Sequence, residues 1–464
     1  MNGLTALRLL NEAGYEAYFV GGCVRDMLLA GETVLHSCRA GGSTVTEDID
    51  ITTNALPEEV KSVFAGMRVI DTGLKHGTVT VLLPENEDGD RSLYHTVEIT
   101  TYRVESGYSD GRHPDSVSFT PSLEEDLARR DFTVNAVAID AGGSIIDPFG
   151  GREDMKRRII RTVGDPDERF KEDALRIMRA LRFASVLGFE IDCGTEEALF
   201  RNSHMLRKIS VERIFSEFKK LVAGENAGQV IRKYVDVLGT VIPELSAMKG
   251  FQQHNEYHRY DVLEHCIRAM EAVRTADGNH MYMKMAALLH DVGKPLTYSP
   301  DDTGRGHFHG HAAKGMEVAA EIMDRFKADK ALSERVCLLV KYHDLIFQKD
   351  ERLLKKWMNR FTPEVLFELL EIKRADNLAT GNMSDELKEK FDGIEEMMRN
   401  ILAQQQCFSL RDLAVKGSDI MKLGVEEGPK VGELLDRLLK EVIEGRVEND
   451  RAQLMDELIK FQRL

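Results

Sequence analysis

Apolar positions in the first third of the chain change period several times. Leu4 to Ala13 repeats at helical spacing, Tyr18–Val20 is a short continuous apolar run, and helical spacing returns at Val24–Leu29 after Gly21-Gly22. The runs Thr78–Leu83, His95–Thr101 and Thr133–Ile139 read as strands. From Asp154 the pattern is helical almost to the end, with amphipathic stretches at Glu172–Leu187, Val211–Val222 and Val230–Leu238. Pro243 and Gly250 interrupt it and mark a boundary. A last helical region runs from Asp385 to Leu464, broken by a turn at Leu423–Pro429. The pattern predicts an α+β chain: a mixed α/β head over residues 1–145, a helical neck and body over 146–248, an all-α domain over 249–382 and a helical tail over 383–464.

At 464 residues the chain is too long for one core, in keeping with several domains. Six scattered cysteines form no CxxC pair, so neither a zinc ribbon nor a disulfide framework is expected, and a reducing cytoplasm is the expected location. No uncharged apolar stretch approaches ~18 residues and the N-terminus has no secretory h-region, so no membrane partner is expected. With 62 Lys+Arg against 78 Asp+Glu the formal charge is −16, which taken alone argues against a nucleic-acid partner. Distribution changes that picture. Residues 152–182 hold ten Lys/Arg against seven Asp/Glu, a basic segment inside an acidic chain.

Three constellations carry chemistry. In the first, Gly21-Gly22 stands between a strand and a helix that contains Arg25. Glycines there let the backbone approach a phosphate, and the helix N-terminus offers free amides. Asp48 and Asp50 flank Ile49, so on a strand both carboxylates share one face. Two such carboxylates repel unless a divalent cation joins them, the arrangement that activates a hydroxyl and a leaving phosphate. Glu98, on the apolar strand Val97–Ile99, is a candidate third carboxylate. Arg129 and Arg130 precede a further strand and suit a triphosphate or ribose.

In the second, Asp173 and Arg176 are three apart at the head of a helix that continues through Arg179 and Arg182. A carboxylate accepts hydrogen bonds and a guanidinium donates them. Cytosine and adenine each show an amino donor beside a ring acceptor, so one Asp/Arg pair matches both. Uracil and guanine present the reverse pattern and leave both side chains unmatched.

Taken together, five segments resemble the class II CCA-adding tRNA nucleotidyltransferases of the polymerase-β superfamily: Val20–Asp26, the Asp48/Asp50 pair, Arg129–Ala136 (RRDFTVNA), Asp147–Arg152 (DPFGGR) and Glu172–Phe183 (EDALRIMRALRF). The resemblance covers about residues 15–220 and ends with Ile209–Arg213. It implies that Asp48 and Asp50 bind a catalytic Mg²⁺ and that Gly22, Arg25 and Arg130 hold the incoming triphosphate. It also implies that Asp173, Arg176, Arg179 and Arg182 form the base-reading and phosphate-contacting helix. The expected partners are CTP, ATP and tRNA lacking part or all of its 3′ CCA. An intact family loop at Thr101–Val117 favours full CCA addition, and by analogy the tail grips the tRNA elbow. One departure is the long Ala30–Glu47 link before the paired aspartates.

The third constellation concentrates histidine: nine of the fourteen lie between His254 and His343. His265, His290-Asp291, His311, His343 and Asp376 follow in order, and imidazoles with carboxylates suit Mn, Fe, Ni, Co or Zn. The set resembles HD-domain metal phosphohydrolases over about residues 255–380. By resemblance His265, His290, Asp291 and Asp376 are core ligands, and His311 and His343 serve a second metal or a substrate phosphate. The rival readings are a bacterial poly(A) polymerase and an HD phosphohydrolase whose head merely binds nucleotide or RNA. No pattern specifies an oligomeric state.

Overall fold

The computed structural model describes residues 3–31, 48–73, 76–84, 94–107, 116–254, 259–274, 281–381 and 384–462. It divides into two compact units, Met1–Pro243 and Glu244–Leu464. Among the described residues no helix is long and apolar enough to cross a membrane.

The first unit is built on a mixed sheet. Its strands are β1 (Ala17–Val20), β2 (Asp48–Thr53), β3 (Arg68–Gly73), β4 (Thr78–Pro84) and β5 (Tyr94–Thr101). A separate hairpin follows, β6 (Arg103–Ser106) with β7 (Ser116–Phe119), before the short β8 (Ala138–Ile139) and β9 (Ile145–Ile146). The sheet order is β3-β4-β5-β2-β1-β8-β9, and only β2 and β5 run parallel.

Period-two alternation sorts β2 into two faces. Ile49 faces helix α1 (Gly3–Glu12), which lies so close that a Cβ at Gly3 would fall 2.9 Å from Ile49 and 3.1 Å from Phe19. Asp50 and Thr52 therefore point to the other side. There the register neighbour of Thr52 is Tyr18, and Val20, Leu127, Ala136, Ala138 and Val163 form an apolar cluster. Helix α2 (Gly22–Ala30) starts directly after β1, and α3 (Leu123–Ala128) closes the far edge of the cluster. Helices α4 (Gly151–Arg157), α5 (Pro166–Glu172), α6 (Leu175–Leu187), α7 (Val211–Ala223) and α8 (Ala227–Leu238) follow in the same unit.

Two elements differ from the sequence pattern. Thr133–Ile139 is not one strand: a 3-10 turn occupies Thr133–Asn135, and only Ala138–Ile139 pairs into the sheet. Thr133 and Asn135 are tied down through their side chains, to Asp154 at 2.7 Å and Asp131 at 3.0 Å, which bends the backbone out of extension. Nor is Glu172–Leu187 one helix. Asp173 is extended at φ −141°, ψ 103°, and its carboxylate accepts the Leu175 N–H at 2.9 Å. An aspartate that competes for backbone N–H groups ends one helix and caps the next.

The second unit is all helical apart from the short pair Ser299–Pro300 and Gly306–His307. Its main helices are α9 (Val262–Ala272), α10 (Met281–Leu289), α11 (His311–Arg325), α12 (Lys330–Tyr342), α13 (Pro363–Ala379), α14 (Asp385–Ala403), α15 (Pro429–Ile443) and α16 (Arg451–Gln462). The last two close over Leu413, Ile420, Leu438, Leu454 and Leu458. The turn after α10 lies directly on the first turns of α11. A Cβ at Gly293 would stand 2.4 Å from the His311 carbonyl oxygen and 2.5 Å from the Gly315 nitrogen. Both neighbours are backbone, so neither can swing aside. Gly293→Ala should therefore cost about 1–3 kcal/mol, read as a lower urea midpoint of the intact chain.

Candidate functional site

The first unit gathers its chemistry on the face of β2 opposite α1. Parallel register sets Asp50 against Glu98, so the two side chains project side by side from strands about 4.8 Å apart. Asp48 opens β2, and its side chain lies outside the described residues. The β1–α2 turn comes down onto the same place. Gly21 has φ +77°, and a Cβ there would lie 3.0 Å from Asp50 Oδ2 and 3.4 Å from an Arg130 guanidinium nitrogen. The turn is thus a cradle that only glycine leaves open, with hard carboxylate oxygens on one wall and a cation on the other. Gly22 is the first residue of α2, whose N-terminal amides face outward from the turn. Hard oxygen donors of this kind fit Mg²⁺.

Behind the cradle, three guanidinium groups surround one ring. Arg25, Arg179 and Arg182 stand 5.0, 5.4 and 4.0 Å from the centre of Phe183. Each has a carboxylate: Arg25 pairs with Asp26 at 2.8 Å, Arg179 with Asp131 at 2.7 Å and Arg182 with Glu217 at 3.0 Å. Arg25 also donates to Asn135 at 2.9 Å. Burial and the neighbouring Arg179 lower the pKa of Arg182 from its ordinary value. For Asp131, burial would raise the carboxyl, but Arg179 and Asn135 outweigh it and hold it at about 2.

The Asp173 and Arg176 side chains are paired with other groups. Asp173 accepts from Arg213 at 2.8 Å, and Arg176 is buried with its guanidinium on Glu172 at 2.5 Å and on the Arg129 carbonyl at 3.0 Å. Asp173, extended just outside α6, and Arg176, in its first turn, are joined through the backbone by the Arg176 N–H on the Asp173 carbonyl at 3.0 Å, while their side chains turn to different partners. The expected Thr101–Val117 loop is rooted in the β6–β7 hairpin, its residues 108–115 lying outside the described set, as do residues 32–47 of the long link.

In the second unit five helices and their ends bring all six expected residues together. His265 Nε2 lies 3.2 Å from His290 Nε2 and 3.0 Å from Asp376 Oδ1. His311 Nε2 lies 3.2 Å from His343 Nε2. Asp291 stands between the two pairs, Oδ2 at 3.2 Å from His290 and Oδ1 at 3.4 Å from His311. The Nδ1 atoms of His290, His311 and His343 lie 2.7, 2.9 and 2.7 Å from the carbonyls of Ala287, Phe308 and Val340. In the neutral ring this places the proton on Nδ1 and turns the Nε2 lone pair inward, as a metal ligand requires. Burial and the nearby His290 push His343 down to about 4, so it is neutral at physiological pH. Asp291 is 1% exposed, yet neither oxygen completes an aligned hydrogen bond. Converging lone pairs and a buried carboxylate are the donor set of a transition-metal cation. A cavity of about 570 Å³ opens on the cluster and is lined also by Lys294, Arg305, Asp344, Lys373 and Asn377.

The two sites also contain residues outside the three constellations of the sequence. Asp344 follows His343 as Asp291 follows His290, a repeat of the dipeptide that was available as a signal, and its carboxylate meets His311 at 3.1 Å. Lys294 lies three residues beyond Asp291 and approaches it to 2.6 Å. Asp126 is fully buried, accepting from Thr52 and Arg129 at 2.9 Å each. Arg213 and Glu217, one turn apart on α7, pair with Asp173 and with Arg182 of the arginine cluster, across about 40 residues of chain, which no local pattern reveals.

The sheet and the glycine cradle place the first unit among nucleotidyltransferase heads, and the Poly A polymerase head domain family matches residues 17–161. The tRNA nucleotidyltransferase domain 2 family matches residues 311–458. A CCA-adding enzyme of Lactobacillus delbrueckii subsp. bulgaricus is 35% identical over 454 residues, 98% of this chain and 96% of that one. One from Geobacillus thermodenitrificans is 48% identical over 248 residues, 53% of this chain and 55% of the other. The crystal structure of the Bacillus stearothermophilus CCA-adding enzyme in complex with CTP superposes with a TM-score of 0.68 at 30% identity, covering 100% of this chain and 97% of that one. The chain belongs to the family of CCA-adding enzymes.

The Asp131–Arg179 pair has a pH signature. Its carboxyl is depressed from the model-peptide 3.8 to about 2, so its contribution is complete above pH ~4 and is lost as pH falls towards 2. The shift corresponds to about 2 kcal/mol. Urea midpoints of wild type should fall across that window, and Asp131→Asn should start lower and fall less.

Proposed function

We propose that the first unit adds C, C and A in turn to the 3′ end of tRNA from CTP and ATP. The observation that carries this is the glycine cradle between Asp50 and Arg130, which leaves room for a phosphate beside a carboxylate pair. The Bacillus stearothermophilus relative, captured with CTP, supports the choice of substrate. In the reaction the tRNA 3′-hydroxyl oxygen attacks the α-phosphorus in line, the bond to the bridging oxygen breaks, pyrophosphate leaves and the hydroxyl proton passes to solvent. Asp48 and Asp50, with Glu98 beside them, would hold Mg²⁺, which would supply positive charge for the hydroxyl and the leaving phosphates. The amides at Gly21-Gly22, with Arg25 and Arg130, orient the triphosphate. Arg179 and Arg182 contact it from the other side by exchanging their carboxylates for phosphate oxygens. Asp173 and Arg176 read the base once nucleotide binding draws Asp173 from Arg213 and Arg176 from Glu172. We assign residues 1–145 to catalysis, 146–248 to base reading and tRNA contact, 249–382 to phosphohydrolysis and 383–464 to the tRNA elbow, all in the cytoplasm.

Incubation with tRNA lacking CCA, omitting each nucleotide in turn, tests the reading. Addition should stop after two C without ATP and should not begin without CTP; a long A tract would instead establish a poly(A) polymerase. Asp50→Ala should lower incorporation by on the order of 10²–10³-fold.

A second activity is favoured by one observation, the four Nε2 atoms that converge on Asp291 beside a cavity lined with Lys294, Arg305 and Lys373. We read it as an HD phosphohydrolase centre in which His265, His290, Asp291 and Asp376 would hold a Mn, Fe, Ni, Co or Zn ion and His311 and His343 would serve a second ion or a substrate phosphate. Such ions polarise a phosphoryl oxygen and acidify water; the three cations would hold the phosphate. Phosphate release from a small phosphate ester by the metal-supplemented chain should vanish in His290→Ala and Asp291→Ala while tRNA addition persists. Release that survives both substitutions rules the centre out.

A further inference from the structure

We propose that Asp126 is a positioning residue for nucleotidyl transfer: it holds the Arg130 guanidinium at a set distance from Asp50, so that the triphosphate meets cation and carboxylate in fixed register. The proposal rests on reading the glycine cradle as the triphosphate site. Asp126 lies on α3 and is fully buried. Its Oδ2 accepts the Thr52 hydroxyl at 2.9 Å and meets Arg130 Nη2 at 3.5 Å. Thr52 stands two residues after Asp50 on β2, on the same face, so this oxygen ties Arg130 to the strand that carries the paired aspartates. The other oxygen, Oδ1, accepts Arg129 Nε and Nη2 at 2.9 and 2.7 Å and the Arg103 amide at 3.3 Å. With both oxygens committed to separate elements, the carboxylate is locked in place.

The two adjacent arginines thereby divide the work. Arg129 places Nε and Nη2 on Asp126 and Nη1 on Glu105 at 3.3 Å, so every nitrogen of its guanidinium faces a carboxylate. Arg130 differs. Its Nη2 is held by Asp126, its Nε is buried without a hydrogen-bond partner, and its Nη1 lies 3.4 Å from where a Cβ on Gly21 would stand. A guanidinium is a rigid planar fork, so fixing one arm aims the other. Asp126 fixes one arm, and the opposite arm reaches the space that only glycine leaves open. Without that hold, each phosphate contact would have to offset the entropy of ordering a long side chain.

Steady-state CTP incorporation by the full chain on tRNA lacking CCA tests this. Wild type should incorporate; no incorporation overturns the triphosphate reading itself. Asp126→Asn keeps the shape but not the charge, and should raise KM for CTP about tenfold with kcat within about threefold of wild type. A cycle with Arg130→Ala then separates positioning from general support of the fold. Because Asp126 acts through Arg130, adding Asp126→Asn to Arg130→Ala should move KM by less than about twofold. KM effects that multiply, a KM that Asp126→Asn leaves unchanged, or a loss confined to kcat overturns the positioning role. Thr52→Val, close to threonine in size, removes the other partner of the same oxygen and serves if Asp126→Asn does not fold. It should raise KM for CTP about threefold and likewise add nothing to Arg130→Ala; an unchanged KM or multiplying effects in that cycle overturns the role equally.

Discussion

Parallel register between β2 and β5 sets the Asp50 carboxylate beside that of Glu98, and two negative groups on one face have to be compensated. The first unit brings the compensation from outside the sheet. Arg130 approaches across a turn that has no side chain to intervene, and Arg25, Arg179 and Arg182 close in behind it around Phe183. Those guanidinium groups are in turn each balanced by Asp26, Asp131 or Glu217. The three guanidinium groups around Phe183 are therefore each neutralised within the unit, in a chain that as a whole carries −16. On the proposed function, a phosphate would exchange with carboxylates already seated there rather than fill a bare positive pocket.

The second unit meets the same problem with the donors reversed. Backbone carbonyls fix three imidazoles so that their Nε2 atoms face inward, and Asp291 adds a buried carboxylate between the pairs. Buried carboxylates in such an arrangement need positive charge beside them. Lys294 and Lys373 partly meet that need at the edge of the cluster, at 2.6 Å from Asp291 and 3.1 Å from Asp376. The two units thus solve opposite tasks with one rule: charge of one sign is held in place by neighbours whose own hydrogen bonds are committed to the backbone or to another charge.

Much of this was legible in the sequence where the signal is local. The Gly21-Gly22 turn, the alternation at Asp48–Asp50 and the order of His265, His290-Asp291, His311, His343 and Asp376 depend on spacing within single elements, and the α+β class follows from the change of period. What was not legible depends on side chains that override propensity. Residues 172–187 keep an unbroken helical period, yet Asp173 takes the Leu175 N–H and splits the helix. Thr133–Ile139 has strand composition, yet Asp131 and Asp154 pull it into a turn. Arg213 and Glu217 reach residues 40 or so positions away, and only the packing of α7 against α6 brings them there.

The approach of Gly293 to Gly315 carries a consequence for how the second unit can change over time. Because that contact is peptide against peptide, the spacing between the His290 turn and the start of α11 is set by main-chain geometry and not by which side chains surround it. The frame that presents the ligands is therefore separable from the ligands themselves. Donor residues can be exchanged, lost or regained by single substitutions while the frame persists, so a lineage can retune or silence this chemistry without redesigning the fold that carries it.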